Sequence, residues 1–550
     1  MSDPSRMWTP LRQGDPALAT AQLSRRTLLR GAVLGGAFVA MPNLLAACGS
    51  SDGDGGGGGE AATLGWGTTG IRALDYAHSY DTQTGVPIAI SVESLLTFDA
   101  DLKLVPLLAE SWEQPDPLTY VFKVRSGVQY WDGTELTAED VVFSIQRHLD
   151  PAVASEMGYA FEAVESVEET ADLEVTVTLS RPDPFFASVQ TFTSITPKAF
   201  TEDLGDDFGT PGDTVRTMGT GPYKITDFRA DDLVTLERNE NYRGDPGPFE
   251  RINVKLFTDL QTMQLAMRSG DIDGTFQVPL PAVRQWDDIE GTTTISAPGL
   301  NITSMFFNVT QPPFDDINVR RAFAYCIDRQ GLVDDLLGGQ ATVANSIVPP
   351  AQWGALLPQD ELDALYAELP QFSLDIEEAK KAIAASAVPD GFSVAIQYPS
   401  ILAEVGKALL SMSENLKEIN VQLEVKEVPP PQWFADLDAE TLPIGVIGLA
   451  PDYLDPANFI GGTYTGDGPG NRANYLNPEV DALMLEQQSA TDPAVRAEAI
   501  AEILRLVEPD LPYLHFWWPD SVMAIRETFT YTGFTPLWYN QVWSENVTTD

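Results

Sequence analysis

An α/β fold is predicted from three features of the sequence. Leu173, Val175, Val177 and Leu179 alternate with Glu174, Thr176 and Thr178, and Ile252, Val254 and Leu256 repeat the pattern, as half-buried strands require. Val405, Leu409, Met412, Leu416 and Ile419 recur at the three-and-four spacing of one buried helical stripe. That stripe passes directly into Val421, Leu423 and Val425, which alternate with Gln422, Glu424 and Lys426. Helix followed at once by strand is half of a crossover unit, so a largely parallel sheet is expected there.

The remaining elements follow from local chemistry. Thr137-Ala138-Glu139-Asp140 is a loose capping box, and Val141, Ile145 and Leu149 then fall at helical spacing, predicting a helix over 137–149. Just before it, Trp131-Asp132-Gly133-Thr134 reads as a turn in which glycine takes a positive φ. Gly219-Thr220-Gly221-Pro222-Tyr223 suits a tight backbone passage into a strand. Cys326 is placed on a helix spanning 322–328, where a small thiol packs much as alanine does. A last helix, over 493–507, carries Ile500, Ile503, Leu504 and Val507 on its buried face.

The N-terminal segment reads as an address. Arg25 and Arg26 sit in a positively charged stretch, Ser24-Arg25-Arg26-Thr27-Leu28-Leu29-Arg30, that resembles a twin-arginine export signal. The apolar run that follows, 31–47, is broken by Gly31, Gly35, Gly36 and Pro42 and is shorter than the roughly 20 residues of a spanning helix. It ends in Leu45-Ala46-Ala47-Cys48-Gly49, which looks like a lipobox, so Cys48 is expected to carry the lipid that anchors the mature chain. Residues 50–60 are serine, aspartate, glycine and glutamate with no apolar face, a tether.

Composition excludes several classes of function. Lys+Arg number 33 and Asp+Glu 80, a formal charge of −47, which repels phosphate backbones and anionic headgroups, so neither nucleic acid nor a basic membrane-docking face is expected. Two cysteines make no disulfide framework, and three histidines leave little for a metal site. Gly65-Trp66-Gly67-Thr68-Thr69-Gly70 fits the dinucleotide-loop pattern but is not followed by a helical stripe, so a glycine-rich loop after the first strand is preferred. No phosphate-binding lysine loop, paired-histidine zinc motif, Cys-x-x-Cys or nucleophile elbow occurs, and His78, His148 and His515 are far apart in sequence. No catalytic residue, cofactor or metal is assigned.

A resemblance runs through the mature chain. Leu108-Ala109-Glu110-Ser111-Trp112 leads through Tyr120-Val121-Phe122 to Trp131-Asp132-Gly133-Thr134 and the capped helix. Gly219 to Lys224, Leu236-Glu237-Arg238-Asn239, Ser269-Gly270-Asp271-Ile272-Asp273, Val319-Arg320-Arg321-Ala322 and Asp452-Tyr453-Leu454-Asp455-Pro456-Ala457-Asn458-Phe459 follow in order. Together they are similar to the family 5 extracellular solute-binding proteins of bacterial ABC importers, the peptide, opine and nickel group. The resemblance implies a two-lobed periplasmic-binding-protein type II clamp, in the large peptide-binding variant with an extra subdomain, mixed sheets and two hinge crossings. Its boundaries would be a signal over 1–47, a lipidated tether over 48–60, a lobe I core over 61–95, 215–305 and 510–550, an extra subdomain over 96–214, and lobe II over 306–509. The crossings would fall at 305–308 and 509–515.

The implied function is capture of a peptide or peptide-like solute between the lobes by a monomer held at the extracytoplasmic face by its lipid, and delivery to the permease and ATPase of an importer. An oligosaccharide, an opine, a chelated metal, a peptide-sensing role and a tethered hydrolase are the alternatives. Peptide-binding members place an aspartate at the position of Asp452 to hold the ligand's α-ammonium; an Asx turn before Pro456 is the other reading of Asp452, with Asp455 the better turn former. The family often has tryptophan after the glycine preceding this motif, whereas here Gly448 is followed by Leu449-Ala450-Pro451. Tyr453 and Trp66 are therefore taken as the cleft-lining aromatics, and Trp517, Trp518 and Tyr539 as core.

Overall fold

The computed structural model describes residues 63–490 and 492–549. A seven-stranded mixed sheet holds, in spatial order, Thr292–Ala297, Ser521–Arg526, Gly274–Thr275, Thr63–Thr69, Arg251–Phe257, Leu233–Arg238 and Tyr223–Arg229. Thr63–Thr69 runs parallel to both its neighbours, and the other pairings are antiparallel. An antiparallel four-stranded sheet, Ala109–Asp116, Thr119–Val124, Glu174–Leu179 and Val164–Ala171, is backed by the helix Ala138–Arg147. Both sheets bury their apolar residues in one core, which unites Leu64 and Val254 with Phe122, Val141 and Val175. We call these two sheets and their core the first body.

The second body is built on another four-stranded sheet, Ala341–Val343, Tyr513–Pro519, Ile302–Phe307 and Ile444–Leu449, antiparallel at every pairing. Helices cover both its faces, so its strands are apolar on both sides. Ile302, Phe306, Ile447 and Tyr513 pack with the helix Pro493–Val507, while Met305, Phe307, Val446 and Leu514 pack with the helices Ile317–Ala324 and Ala403–Leu416. The crossover unit read from sequence is present, with strands Phe392–Pro399 and Val421–Val428 joined in parallel through the helix Ala403–Leu416. Its parallel pairing stops at those two strands; the expectation of a largely parallel sheet in this region is corrected by the antiparallel sheet beside it.

Helix starts follow the predicted chemistry. The Thr137 side chain takes the Asp140 N–H and the Asp140 carboxylate takes the Thr137 N–H, a complete capping box. Asp492 caps the helix Pro493–Val507, with proline at its first position. Gly133 has φ of 87°, in the turn predicted for it. Cys326 lies just beyond the helix Ile317–Ala324 instead of within a helix, and is buried.

The chain passes between the bodies twice, over 298–301 and at Asp520. These passages run side by side, since a Cβ on Gly299 would collide with the Pro519 carbonyl. They lie outside 305–308 and 509–515 because Ile302–Phe307 and Tyr513–Pro519 are paired strands of the second body. Among the described residues no helix is long and apolar enough to cross a membrane.

Candidate functional site

The segment 452–455 links the strand Ile444–Leu449 to the helix Ala457–Thr463, at the contact between the bodies. Tyr80 of the first body donates its hydroxyl to the Asp452 carbonyl at 3.0 Å. The Asp452 carboxylate receives hydrogen bonds from the Tyr159 hydroxyl, also of the first body, and from the Asn458 amide. Burial outweighs these bonds and pushes its pKa up to about 6. No cation among the described residues pairs with Asp452, and the Oδ1 of Asn458 is buried without a hydrogen-bond partner. Burial first, and the Asp452 charge next, keep the Tyr159 hydroxyl protonated, and the same two influences act on Tyr539. The site thus sets one uncompensated carboxylate among neutral phenols.

The next three residues each meet a different partner. Tyr453 stacks on Phe185 of the first body, with ring centroids 4.6 Å apart and planes at 23°. Leu454 packs with Phe98, Leu300 and Leu537. Asp455 accepts the Ala457 N–H at 2.8 Å through one oxygen and binds Arg496 at 2.8 Å through the other. The Asx turn before the helix is therefore made by Asp455, and the Asp452 side chain takes no part in it.

Trp66 is placed differently from the expectation. Its indole is fully buried in the first body, with Phe276 at 4.7 Å and Trp543 at 4.8 Å, over a Gly274 whose Cβ would strike the ring. Alternation along the strand Thr63–Thr69 turns this side chain into the core, so Trp66 packs and lines no cleft. Trp517 and Trp518 are buried in the second body, and Tyr539 packs against the core of the first, as read, near enough for the Asp452 charge to act on its hydroxyl. Arg25, Arg26 and Cys48 lie outside the described residues.

Tyr80, Tyr159 and Asn458 were not singled out from sequence. Asn458 stands six residues after Asp452 in the same motif, a signal that could have found it. The two tyrosines come from distant segments with no shared pattern.

Folding also brings a histidine beside a serine in the second body. His515 Nδ1 lies 2.9 Å from Ser304 Oγ, and its Nε2 lies 3.0 Å from Glu508 Oε2 and 3.2 Å from the Tyr464 hydroxyl. The grouping has the components of a hydrolytic triad, yet Ser304 is fully buried and His515 and Glu508 each 3% exposed, so no ester or amide can reach the hydroxyl. It serves as a satisfied polar network inside an apolar core. His148 is likewise buried, at 2.8 Å from Ser155, and burial pushes its pKa down to about 4. Among the described residues no group of three or more histidine, cysteine and carboxylate side chains could hold a metal ion.

A family model described as "Bacterial extracellular solute-binding proteins, family 5 Middle" matches residues 103–471. Heme-binding protein A of Haemophilus influenzae is 27% identical over 437 residues, 74% of this chain and 78% of that protein. The periplasmic oligopeptide-binding protein OppA of Escherichia coli is 27% identical over 470 residues, 81% of this chain and 85% of that one. Among solved structures, the ABC transporter substrate-binding protein CtaP of Listeria monocytogenes superposes with a TM-score of 0.77 at 22% identity, covering 89% of this chain and all of that chain.

Proposed function

The chain belongs to family 5 of the bacterial extracellular solute-binding proteins, and from that premise we propose that it captures a peptide or peptide-like solute between its two bodies. It is a solute-binding component of an ABC importer, works outside the cytoplasm and catalyses no reaction. The observation that carries the peptide reading is the Asp452 carboxylate, half-buried at the contact of the bodies with no cation of the described residues against it and an unpartnered acceptor on its neighbour Asn458. A free α-ammonium supplies both the charge and the donors such a pair lacks. An oligosaccharide brings donors without charge, and the amines of a chelated metal are engaged on the metal. The name of the Escherichia coli relative agrees with the peptide reading.

In this proposal the first body, 63–297 with 521–549, is the core lobe with its extra subdomain over 96–214, and the second body, 302–519, is the other lobe, so the lobe boundaries lie at the two passages and not at 305 and 510. The strand Tyr513–Pro519 adds to the second lobe's sheet. Asp452 holds the ammonium, and Tyr453 lines the cleft beside it. Solute contacts to both lobes favour the closed form, which the permease and ATPase read. Arg25 and Arg26 direct export, Cys48 carries the lipid, and residues 50–60 let the clamp reach its permease. Tryptophan fluorescence titration with a pool of dipeptides and tripeptides tests the ligand class. A saturable response in the wild type that weakens in Asp452→Asn is expected. Silence to peptides with a response to sugars would overturn it.

A further inference from the structure

Phe185 belongs to the first body by chain order and to the second by packing. It ends Arg181-Pro182-Asp183-Pro184-Phe185, the segment between the strand Glu174–Leu179 and the helix Phe186–Val189. Two prolines restrict φ on either side of Asp183. The Asp183 carboxylate accepts the Phe185 N–H at 3.0 Å, and its carbonyl accepts the Tyr120 hydroxyl at 3.0 Å, which ties the segment to its own sheet. Phe186, the next residue, packs in the first body's core. The ring of Phe185, 9% exposed, instead joins the apolar cluster of the second. There it lies on Tyr453, and the Arg496 guanidinium stands 5.4 Å from its centroid. Asp455 fixes that guanidinium, so the ring meets two residues tied to the 452–455 segment, Tyr453 within it and Arg496 through Asp455.

The geometry points to Phe185 as a clasp: a positioning residue that seats on Tyr453 and Arg496 and holds the two bodies shut around Asp452 before any solute arrives. This rests on the reading of the protein as a clamp, and not on which solute it takes. Ring stacking and a cation over the ring face act only when the bodies touch, so they favour the closed form alone. Apparent affinity scales with the fraction of molecules in the binding-competent state, so the clasp strengthens the hold on every solute by one factor. It sets affinity and leaves selectivity to the Asp452 pocket.

Solution scattering on the full-length protein without solute tests the clasp, comparing wild type with Phe185→Ala, Phe185→Leu and Phe185→Tyr. The closed-to-open ratio should fall at least about tenfold in the alanine and leucine variants, enlarging the radius of gyration, while tyrosine retains the wild-type value. Circular dichroism identifies a variant that fails to fold; should alanine fail, the leucine variant carries the comparison. Equal radii for wild type and the folded Ala or Leu variant would overturn the clasp, as would a solute-free wild type already as open as that variant. With the peptide pool, affinity should fall by the same factor as the closed fraction, and an unchanged affinity in opened particles would overturn the positioning role. If no variant and no wild type responds to peptides, the peptide reading fails while scattering still decides the clasp.

Discussion

The hydroxyl of Tyr80 and the carbonyl of Asp452, 372 residues apart in sequence, meet at 3.0 Å and join the two bodies at the acidic site. This bond touches the motif's backbone and leaves its carboxylate free, so it separates closure from charge recognition. Tyr80→Phe should weaken peptide binding by roughly two- to tenfold, the worth of one neutral hydrogen bond, with the pH profile of binding unaltered. Titration calorimetry at two pH values checks both parts.

Asp452→Asn removes the charge and keeps the shape. Loss of a charge-assisted bond of about 1.5–3 kcal/mol predicts peptide affinity roughly ten- to a hundredfold weaker. Stability should move the other way. Burial raises this carboxyl's pKa to about 6, so ionising it costs more in the folded chain than in the unfolded one. That cost, about 3 kcal/mol at pH 7, grows as pH rises from about 4 to 6 and is absent below that window. The variant should therefore melt no lower than wild type at pH 7. A lower melting temperature accompanied by full affinity would contradict the assignment.

The same group sets a pH dependence of binding. Only the ionised carboxylate attracts an ammonium, and with a pKa of about 6 the ionised fraction falls about tenfold between pH 7 and pH 5. Peptide affinity should drop by that factor over that interval in the wild type and stay level in Asp452→Asn. Neighbouring Tyr80, Tyr159 and Tyr539 are held protonated by burial and add nothing across the range.

Trp66→Ala separates core from cleft. Emptying a fully buried tryptophan site costs about 3–5 kcal/mol, so unfolding should come earlier in heat or urea. Peptide affinity measured well below the transition should stay within about twofold of wild type. A selective loss of affinity would return Trp66 to the binding surface.

Membrane attachment is tested through Cys48. Cys48→Ser should release the protein from the membrane fraction with peptide binding intact, because two or more acyl chains supply a hold that a hydroxyl cannot. Arg25→Lys combined with Arg26→Lys should block export of the folded chain, seen as retention in the cytoplasmic fraction.

What could be read in advance was whatever sits within one turn or one strand. The capping box of Thr137 and Asp140, the helix Pro493–Val507 and the crossover through Ala403–Leu416 depend on neighbours in sequence, and they occur as local chemistry requires. Trp66 shows the limit. An aromatic on a glycine-rich strand is compatible with either face of a sheet, and the face is decided by Phe276 and Trp543, which arrive from elsewhere in the chain.

The sequence by itself determined the capped helices, the alternating strands, the family, the acidic charge balance and the position of Asp452 in its motif, since each depends on residues close together or on a pattern kept in order. Tertiary structure alone decided that Asp452 lacks a cation, that Tyr80, Tyr159 and Phe185 reach it or its neighbours, and that Ser304 and His515 meet where no substrate can follow. Burial and electrostatic compensation are properties of a three-dimensional neighbourhood, and spacing along the chain does not encode who the neighbours are.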